Sequence, residues 1–155
     1  PAVWILEMYP QAEVFGLDPD EERVLIASRV IGKRGKVEVG RAPDLPLVEG
    51  CVDLVLMLDM IHLISDEDAK LVLGRIYEKL EEGGTLLIRA TVPSERKFPW
   101  KRWMESLRLK AARLPECFRT VSEMETLLSR AGFKVDTFDS AVAPVEEKWF
   151  VGKKA

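Results

Sequence analysis

A continuous apolar run lies in the middle of the chain. From Val52 to Leu58 only Asp53 interrupts the apolar side chains, and turn residues stand before and after the run. A run without polar alternation predicts a strand that is buried on both faces of a sheet. Ser65 then offers a helix cap, and apolar residues recur at helical spacing as far as Leu80. The pattern predicts a strand and a helix in direct succession.

A second apolar strand follows this helix. Gly83 and Gly84 predict the end of the helix, and residues 85–90 form the next apolar run. Strand, helix and strand at this spacing predict a parallel crossover unit. Ligands of such sheets bind beyond the carboxyl ends of the strands. The segments 58–62 and 90–93 are therefore the expected location of a site.

The amino-terminal residues predict further elements of the same kinds. These are the last turns of a helix that ends near Tyr9, a strand at 13–17, a helix from Asp20 or Glu21 to about Ile31, and a strand at 36–40. The residues of the longer helix that we expect to face inward are Val24, Leu25, Ala27, Val30 and Ile31.

The carboxyl-terminal residues predict two more helices and a strand pair. A helix with two tryptophans is expected at 99–113. The sequence from Thr120 to Glu123 is a capping box for another helix, which Gly132 ends. Strands follow at 133–138 and 148–151, and the loop around Pro144 lets them pair antiparallel at a sheet edge.

The composition narrows the class of protein. A chain of 155 residues with 47% hydrophobic residues predicts a single domain, 1–155. The net charge of -3 gives no general reason to expect a nucleic-acid partner. Two distant cysteines fit neither a disulfide framework nor a metal site, and the single histidine excludes a His-rich metal centre. With no apolar run of membrane-span length and no visible signal peptide, a cytoplasmic location is the expectation.

Four segments carry a resemblance to a known family. They are VFGLDP at 14–19, GRAPDLP at 40–46, the stretch from Val52 to His62, and LEEGGTLLI at 80–88. With them, the chain from Ala12 to about Gly132 resembles the class I S-adenosylmethionine-dependent methyltransferases, in particular the small-molecule group. The resemblance implies an α/β fold, a three-layer sandwich around a Rossmann-like, mostly parallel sheet with an antiparallel edge hairpin. It also implies S-adenosylmethionine as cofactor and a small molecule as methyl acceptor.

The resemblance assigns cofactor-binding roles to residues after two early strands. Asp18, followed by Pro19, matches the acidic residue that binds the ribose hydroxyls, because a carboxylate accepts from two vicinal hydroxyls at once. A turn aspartate that caps the next helix is the alternative. Arg41 and Ala42 match the pair beside the adenine, where the family usually has an acidic residue first. Arginine has no acceptor, and a solvent-exposed loop arginine is the alternative.

The remaining assignments concern the methionine end of the cofactor and the acceptor. Leu58 and Asp59 match the loop that lines the methionine end, although Asp59 is equally interpreted as a helix-initiating residue. For the acceptor the resemblance points to His62, and the helix at 99–113 contributes Trp100 and Trp103. The alternative for all three is packing against the core. No residue suggests a general base, so we assign no catalytic residue, since such a reaction can rest on positioning.

The front of the chain departs from the family pattern. The family has a first strand and a glycine-rich loop before the helix that ends near Tyr9, and neither is present here. We therefore expect an N-terminally truncated sheet in which the strands at 14–17 and 52–58 each leave an edge unpaired. Buried amides without partners cost about 1–3 kcal/mol each. Upstream residues, re-pairing of the chain, or a homodimer in which another copy donates a segment would supply the missing partner.

Two functions follow from these observations. The first is methyl transfer from S-adenosylmethionine to a small-molecule acceptor. The second is a degenerate methyltransferase-like domain without activity, which acts as an interaction or dimerisation module. The missing glycine loop and Arg41 favour the second, and the order of the four family segments favours the first. Whether the chain is an enzyme is therefore left open by the sequence.

Overall fold

The chain divides into two compact units. They are residues 1–50 and residues 51–155, called here the N-terminal unit and the C-terminal unit. The computed structural model describes residues 2–46, 50–93, 117–140 and 147–154. The expectation of one domain over 1–155 stays a prediction.

The N-terminal unit is a strand–helix–strand crossover preceded by a short helix. Its elements are α1 (Ala2–Met8), β1 (Val14–Asp18), α2 (Glu21–Ile31) and β2 (Gly35–Val39). The two strands pair in parallel, with Asp18 opposite Val39. All four elements were expected from the sequence, with bounds that differ by one residue at most strand ends.

The C-terminal unit contains a second parallel crossover and an antiparallel strand pair. Its elements are β3 (Val52–Leu58), a 3-10 turn (Ile61–Leu63), α3 (Asp66–Lys79), β4 (Leu80–Thr91), α4 (Val121–Arg130), β5 (Lys134–Asp139) and β6 (Glu147–Lys153). The strand order is β3-β4-β6-β5. β3 and β4 are parallel, whereas β6 runs antiparallel to both of its neighbours. The predicted α/β class, with parallel crossovers and an antiparallel edge hairpin, is confirmed.

Side-chain caps begin the helices where the sequence places them. The Ser65 hydroxyl accepts from the Asp68 N–H at 3.1 Å and starts α3. At α4 the capping box is complete, because the Thr120 hydroxyl accepts from the Glu123 N–H at 3.3 Å and the Glu123 carboxylate accepts from the Thr120 N–H at 2.7 Å. Each cap satisfies an N–H that has no partner inside its helix.

The burial of β3 differs from the prediction. We expected Val52–Leu58 to be covered on both faces, but only Met57 in it is buried and Leu54 is 46% exposed. Within the described residues β3 pairs with β4 alone and ends the four-stranded sheet. β1 likewise pairs with β2 alone. The expectation that these two strands each keep one unpaired edge therefore holds for the described part of the chain, and it explains the exposure.

The inward face of α2 is narrower than predicted. Ile31 is buried and Val24 and Ala27 are half-buried, which gives a single stripe at helical spacing. Leu25 and Val30, which we expected to face inward, are 53% and 51% exposed. A sheet of two strands supports only one side of a helix, so the apolar residues outside that stripe remain in solvent.

The glycine pair at 83–84 does not end α3. The helix ends at Lys79 and the next strand begins directly at Leu80. Val52 lies opposite Leu80, but Leu54 lies opposite Thr85, so the residues between them form an irregular bulge in β4. Gly83 has φ +78°, and a Cβ on Gly84 would lie 2.7 Å from the Glu81 carbonyl oxygen. The glycines therefore shape the bulge, a role that the simple stop signal does not distinguish.

Some predicted elements lie outside the described residues. The helix expected at 99–113, with Trp100 and Trp103, lies outside them, as do the loops at 94–98 and around Pro144. In the described part of the chain, no helix combines the length and apolar character that crossing a membrane requires.

Candidate functional site

Asp18 is the last residue of β1, at the carboxyl end of the parallel pair. One carboxylate oxygen, Oδ1, accepts from the Asp20 N–H at 2.9 Å. The other, Oδ2, has the Arg23 guanidinium 4.0 Å away. The Asp18 side chain is 34% exposed, and Pro19 after it is exposed. The carboxylate is therefore oriented by a local turn and retains capacity to accept further hydrogen bonds.

Residues after β2 lie at the same sheet edge as Asp18. The Gly40 N–H donates to the Asp18 carbonyl oxygen at 3.2 Å, which ties the two strand ends together. A Cβ on Gly40 would come 3.2 Å from the Leu17 side chain, so the close approach suits glycine. Arg41 is exposed and Ala42 is half-buried. The structure thus brings the predicted residues Asp18, Pro19, Arg41 and Ala42 to one edge of the N-terminal unit.

Asp59 occupies an unusual position after β3. Its φ is +55°, a left-handed conformation that non-glycine residues seldom adopt and that aspartate tolerates better than most. The Asp59 N–H donates to the Arg89 carbonyl oxygen at 3.0 Å. The side chain of Arg89 also binds Asp59: its Nε donates to Asp59 Oδ1 at 3.0 Å, and its Nη2 donates to Asp59 Oδ2. Leu58, directly before, is half-buried and lies opposite Arg89 in the sheet.

The Asp59–Arg89 pair extends to a third strand. The Arg89 guanidinium lies 5.6 Å from the centre of the Trp149 ring, within range of a cation–π contact. The hydrogen bond to Asp59 is the main reason that the pKa of Arg89 is raised above its ordinary value. Sequence reasoning selected Asp59 but missed Arg89, because the two residues are thirty positions apart and only the parallel register makes them neighbours.

His62 is a buried residue of the 3-10 turn. It is 4% exposed, and its ring stacks on Phe118 with centroids 5.1 Å apart and planes inclined by 8°. The His62 carbonyl oxygen accepts from the Cys117 N–H at 2.9 Å. The packed-residue alternative is therefore the better description of His62 within the described residues, while its role toward an acceptor stays a prediction. Trp100 and Trp103 cannot be placed beside it, since they lie outside those residues.

Arg119 is a buried charged residue that the sequence analysis did not select. It is 7% exposed, and its guanidinium donates to backbone carbonyls of the turn after β3 and to Asp66. Its only sequence signal is its place between an aromatic residue and the Thr120 cap.

An open groove of about 1060 Å³ runs between α3 and α4, with Tyr77 and Thr126 in its lining. None of the predicted site residues that the structure describes lines it. In the described residues no cluster of His, Cys, Asp and Glu side chains is grouped closely enough to bind a metal ion. The described cofactor-site residues therefore lie at or just after the strand ends, and His62 lies in the 3-10 turn, outside the lining of this groove.

Comparison with known proteins identifies the family. Residues 1–84, more than half of the chain, match the family model described as a methyltransferase domain. The chain therefore belongs to this methyltransferase family, and the predicted membership of the class I S-adenosylmethionine-dependent methyltransferases is confirmed. A search of curated protein sequences finds no match.

Solved structures agree with this fold. Human N-acetylserotonin methyltransferase in complex with SAM has 23% identity and a TM-score of 0.72. The O-methyltransferase family 2 protein from Planctomyces limnophilus DSM 3776, in complex with apigenin, has 18% identity and a TM-score of 0.76. An O-methyltransferase family protein from Burkholderia thailandensis has 19% identity and a TM-score of 0.74. Each similarity covers 99% of this chain but 44%, 46% and 47% of those chains, so the chain spans less than half of their length.

Proposed function

We propose that the chain binds S-adenosylmethionine and takes part in methyl transfer to a small-molecule acceptor. The family model, which includes the Asp18 strand end and the Asp59 strand end, supports the reaction class. The similarity to human N-acetylserotonin methyltransferase and to an O-methyltransferase in complex with apigenin supports a small molecule as the acceptor. When bound, the cofactor supplies a methyl group on an electrophilic sulfonium. The chain's own residues bind and orient it.

The observation that carries the proposal is the Asp18 carboxylate. It stands at the carboxyl end of a parallel strand, where α/β sheets bind ligands. The Asp20 N–H engages one oxygen, and the Arg23 guanidinium is 4.0 Å from the other. A carboxylate offers about four acceptor positions, so two vicinal hydroxyls of a ribose fit here. Ala42 and Pro19 offer apolar surface at the same edge, and Arg41 offers no acceptor for an adenine amino group.

Leu58 and Asp59 fit a more limited role. Two of the acceptor positions of Asp59 are taken by Arg89, so its carboxylate has less capacity than that of Asp18. The pair neutralises the charge of Asp59 and fixes the strand end at which the methionine part of the cofactor is expected. His62, Trp100 and Trp103 remain the proposed acceptor contacts, and no residue is proposed as a general base.

Calorimetry with S-adenosylmethionine tests this function. Asp18→Asn keeps the shape of the side chain but removes its charge. A hydrogen bond to a charged group contributes about 1.5–3 kcal/mol, so we expect its loss to raise the dissociation constant about 10-fold to 100-fold. Asp20→Asn is the matched control, because it removes a nearby charge while asparagine still caps α2. Equal weakening by both variants would show a general charge effect and would remove Asp18 as the ribose ligand.

The second function is the inactive interaction or dimerisation module. The exposed Arg41 at the end of β2, where the family usually has an acceptor, favours it. The same titration separates the two functions, because an inert module gives no heat with millimolar S-adenosylmethionine. Heat that saturates with ligand and weakens in Asp18→Asn would exclude the inert module.

A further inference from the structure

The Arg119 guanidinium is saturated with protein acceptors. Its Nη1 donates to the carbonyl oxygens of Ile61 at 2.7 Å and Cys117 at 3.2 Å. Its Nη2 donates to the Ile64 carbonyl oxygen at 3.1 Å and to Asp66 Oδ1 at 2.7 Å, and its Nε donates to the same Asp66 oxygen at 2.9 Å. An arginine has five N–H donors, and all five are used. Arg119 therefore has no donor left for a ligand.

The acceptors of Arg119 enclose one short segment. Ile61 is the first residue of the 3-10 turn between β3 and α3, Ile64 comes directly after this turn, and Asp66 is the first residue of α3. A turn of three residues makes few backbone hydrogen bonds of its own, so its carbonyl groups need partners from elsewhere. Because the next residue, Thr120, caps α4, one side chain joins the exit of β3 to the starts of two helices.

The residues before Arg119 contact the same turn around His62. The Cys117 N–H donates to the His62 carbonyl oxygen, and the Phe118 ring stacks on the imidazole. The backbone of His62 is thus held by Cys117, and its ring is packed on Phe118. Arg119 binds the carbonyl groups of Ile61, directly before His62, and of Ile64, two residues after it. Each residue of the segment 117–119 therefore contacts the turn after β3 or the residues beside it.

We propose that Arg119 is a positioning residue, which holds the turn after β3 and its histidine in the orientation that the methyltransferase site uses. The proposal rests on the proposed function and adds to it a residue that touches no ligand. It requires an arginine, because a planar guanidinium reaches three carbonyls and a carboxylate in fixed directions. A lysine ammonium has three donors on a flexible stem and cannot bind all four acceptor groups.

His62 makes the proposal measurable without any ligand. It is the only histidine in the chain, so its imidazole signals in a nuclear magnetic resonance spectrum need no assignment. We expect one sharp set of signals in the unmodified chain and a shifted or broadened set in Arg119→Lys. Arg130→Lys, on the exposed last turn of α4, is the matched control and should leave the signals unchanged. Unchanged His62 signals in Arg119→Lys with an intact circular dichroism spectrum would overturn the proposal.

Chemical rescue separates positioning from simple stability. In Arg119→Ala, added ethylguanidinium should restore the His62 signals, whereas ethylammonium at the same concentration should not. Equal effects of the two cations would contradict the requirement for a planar guanidinium group. If the alanine variant does not fold, the lysine variant with the Arg130→Lys control still decides the question.

Ligand binding then links the residue to the proposed function. With S-adenosylhomocysteine as the probe, we expect Arg119→Lys to raise the dissociation constant about 10-fold, which corresponds to about 1.4 kcal/mol. No binding by the unmodified chain would contradict the proposed function while the His62 signals still test Arg119. Binding that is equal in both chains, together with a disturbed His62, would limit Arg119 to local structure and reject its positioning role.

Discussion

The two units use the same local signals but bury their apolar residues very differently. In the described part of the N-terminal unit, Leu6 and Ile31 are the fully buried apolar residues, while Trp4, Met8 and Leu25 are exposed. The described part of the C-terminal unit has sixteen buried apolar residues, including Phe150, which is completely covered. Helix caps and strand pairs are present in both. Local sequence patterns therefore determine which helices and strands form, whereas the number of paired strands determines how many apolar side chains those elements bury.

The acidic residues at the two strand ends show the same contrast. The Asp18 carboxylate accepts a hydrogen bond from the Asp20 N–H, within its own turn. Asp59 is bound on both oxygens by Arg89 from the neighbouring strand and also receives support through its backbone. An aspartate after an apolar strand is therefore an available acceptor in one unit and part of a neutral pair in the other. The adjacent strand makes the difference.

The largest expected effect is the loss of a core side chain in the C-terminal unit. Phe150→Ala should lower the free energy of unfolding of this unit by about 3–5 kcal/mol, because it leaves a cavity in a fully buried site. Hydrogen exchange read separately on the amides of each unit measures this change. Leu25→Ala in the exposed part of α2 is the control and should stay within about 0.5 kcal/mol. Equal effects of the two substitutions would break the comparison.

The helix caps should matter equally in the two units. Asp20→Ala removes the acceptor of the Glu22 and Arg23 N–H groups, and Thr120→Ala removes the acceptor of the Glu123 N–H. Each should cost about 1 kcal/mol in the exchange protection of its own helix. A much larger loss in α4 than in α2 would show that the cap acts through the core and not locally.

The capping box adds the smallest effect, a dependence on pH. Hydrogen bonds from the Thr120 N–H and hydroxyl lower the pKa of Glu123 below its ordinary value of 4.5. A carboxylate whose pKa is lowered by folding stabilises the protein above 4.5, and this contribution is lost as the pH falls through the folded-state pKa. Exchange protection of α4 should therefore decline in acid, and Glu123→Gln should remove that part of the decline. An identical acid response in the variant would mean that other carboxylates cause it.

Most of the elements follow from short-range patterns. Ser65 and Thr120 cap helices where their sequence context predicts, and the spacing around Val52–Leu58 predicts the parallel crossover. These signals succeed because caps and apolar periodicity act over a few residues. The prediction that β3 is buried on both faces was wrong. A continuous apolar run shows that a strand could be covered on both faces, but it does not show which elements pack against the strand.

The site was predicted less completely than the fold. Asp18, Pro19, Arg41 and Ala42 come together because parallel pairing places consecutive strand ends at one edge, which the order of the elements predicts. Arg89 and Arg119 were missed, because each acts on a segment far away in the sequence. Only the sheet register reveals the first, and only the packing of 117–119 on the turn reveals the second.

Asp53 has a consequence for the handling of this protein. It is the single charge in the stretch Val52–Leu58, and it sits, exposed, beside Leu54 on a strand that keeps one side open within the described residues. Uncharged stretches of this composition stack readily into fibrils, and a charge inside them acts as a gatekeeper. Replacing Asp53 by an uncharged residue would therefore make the protein more prone to aggregate in concentrated preparations.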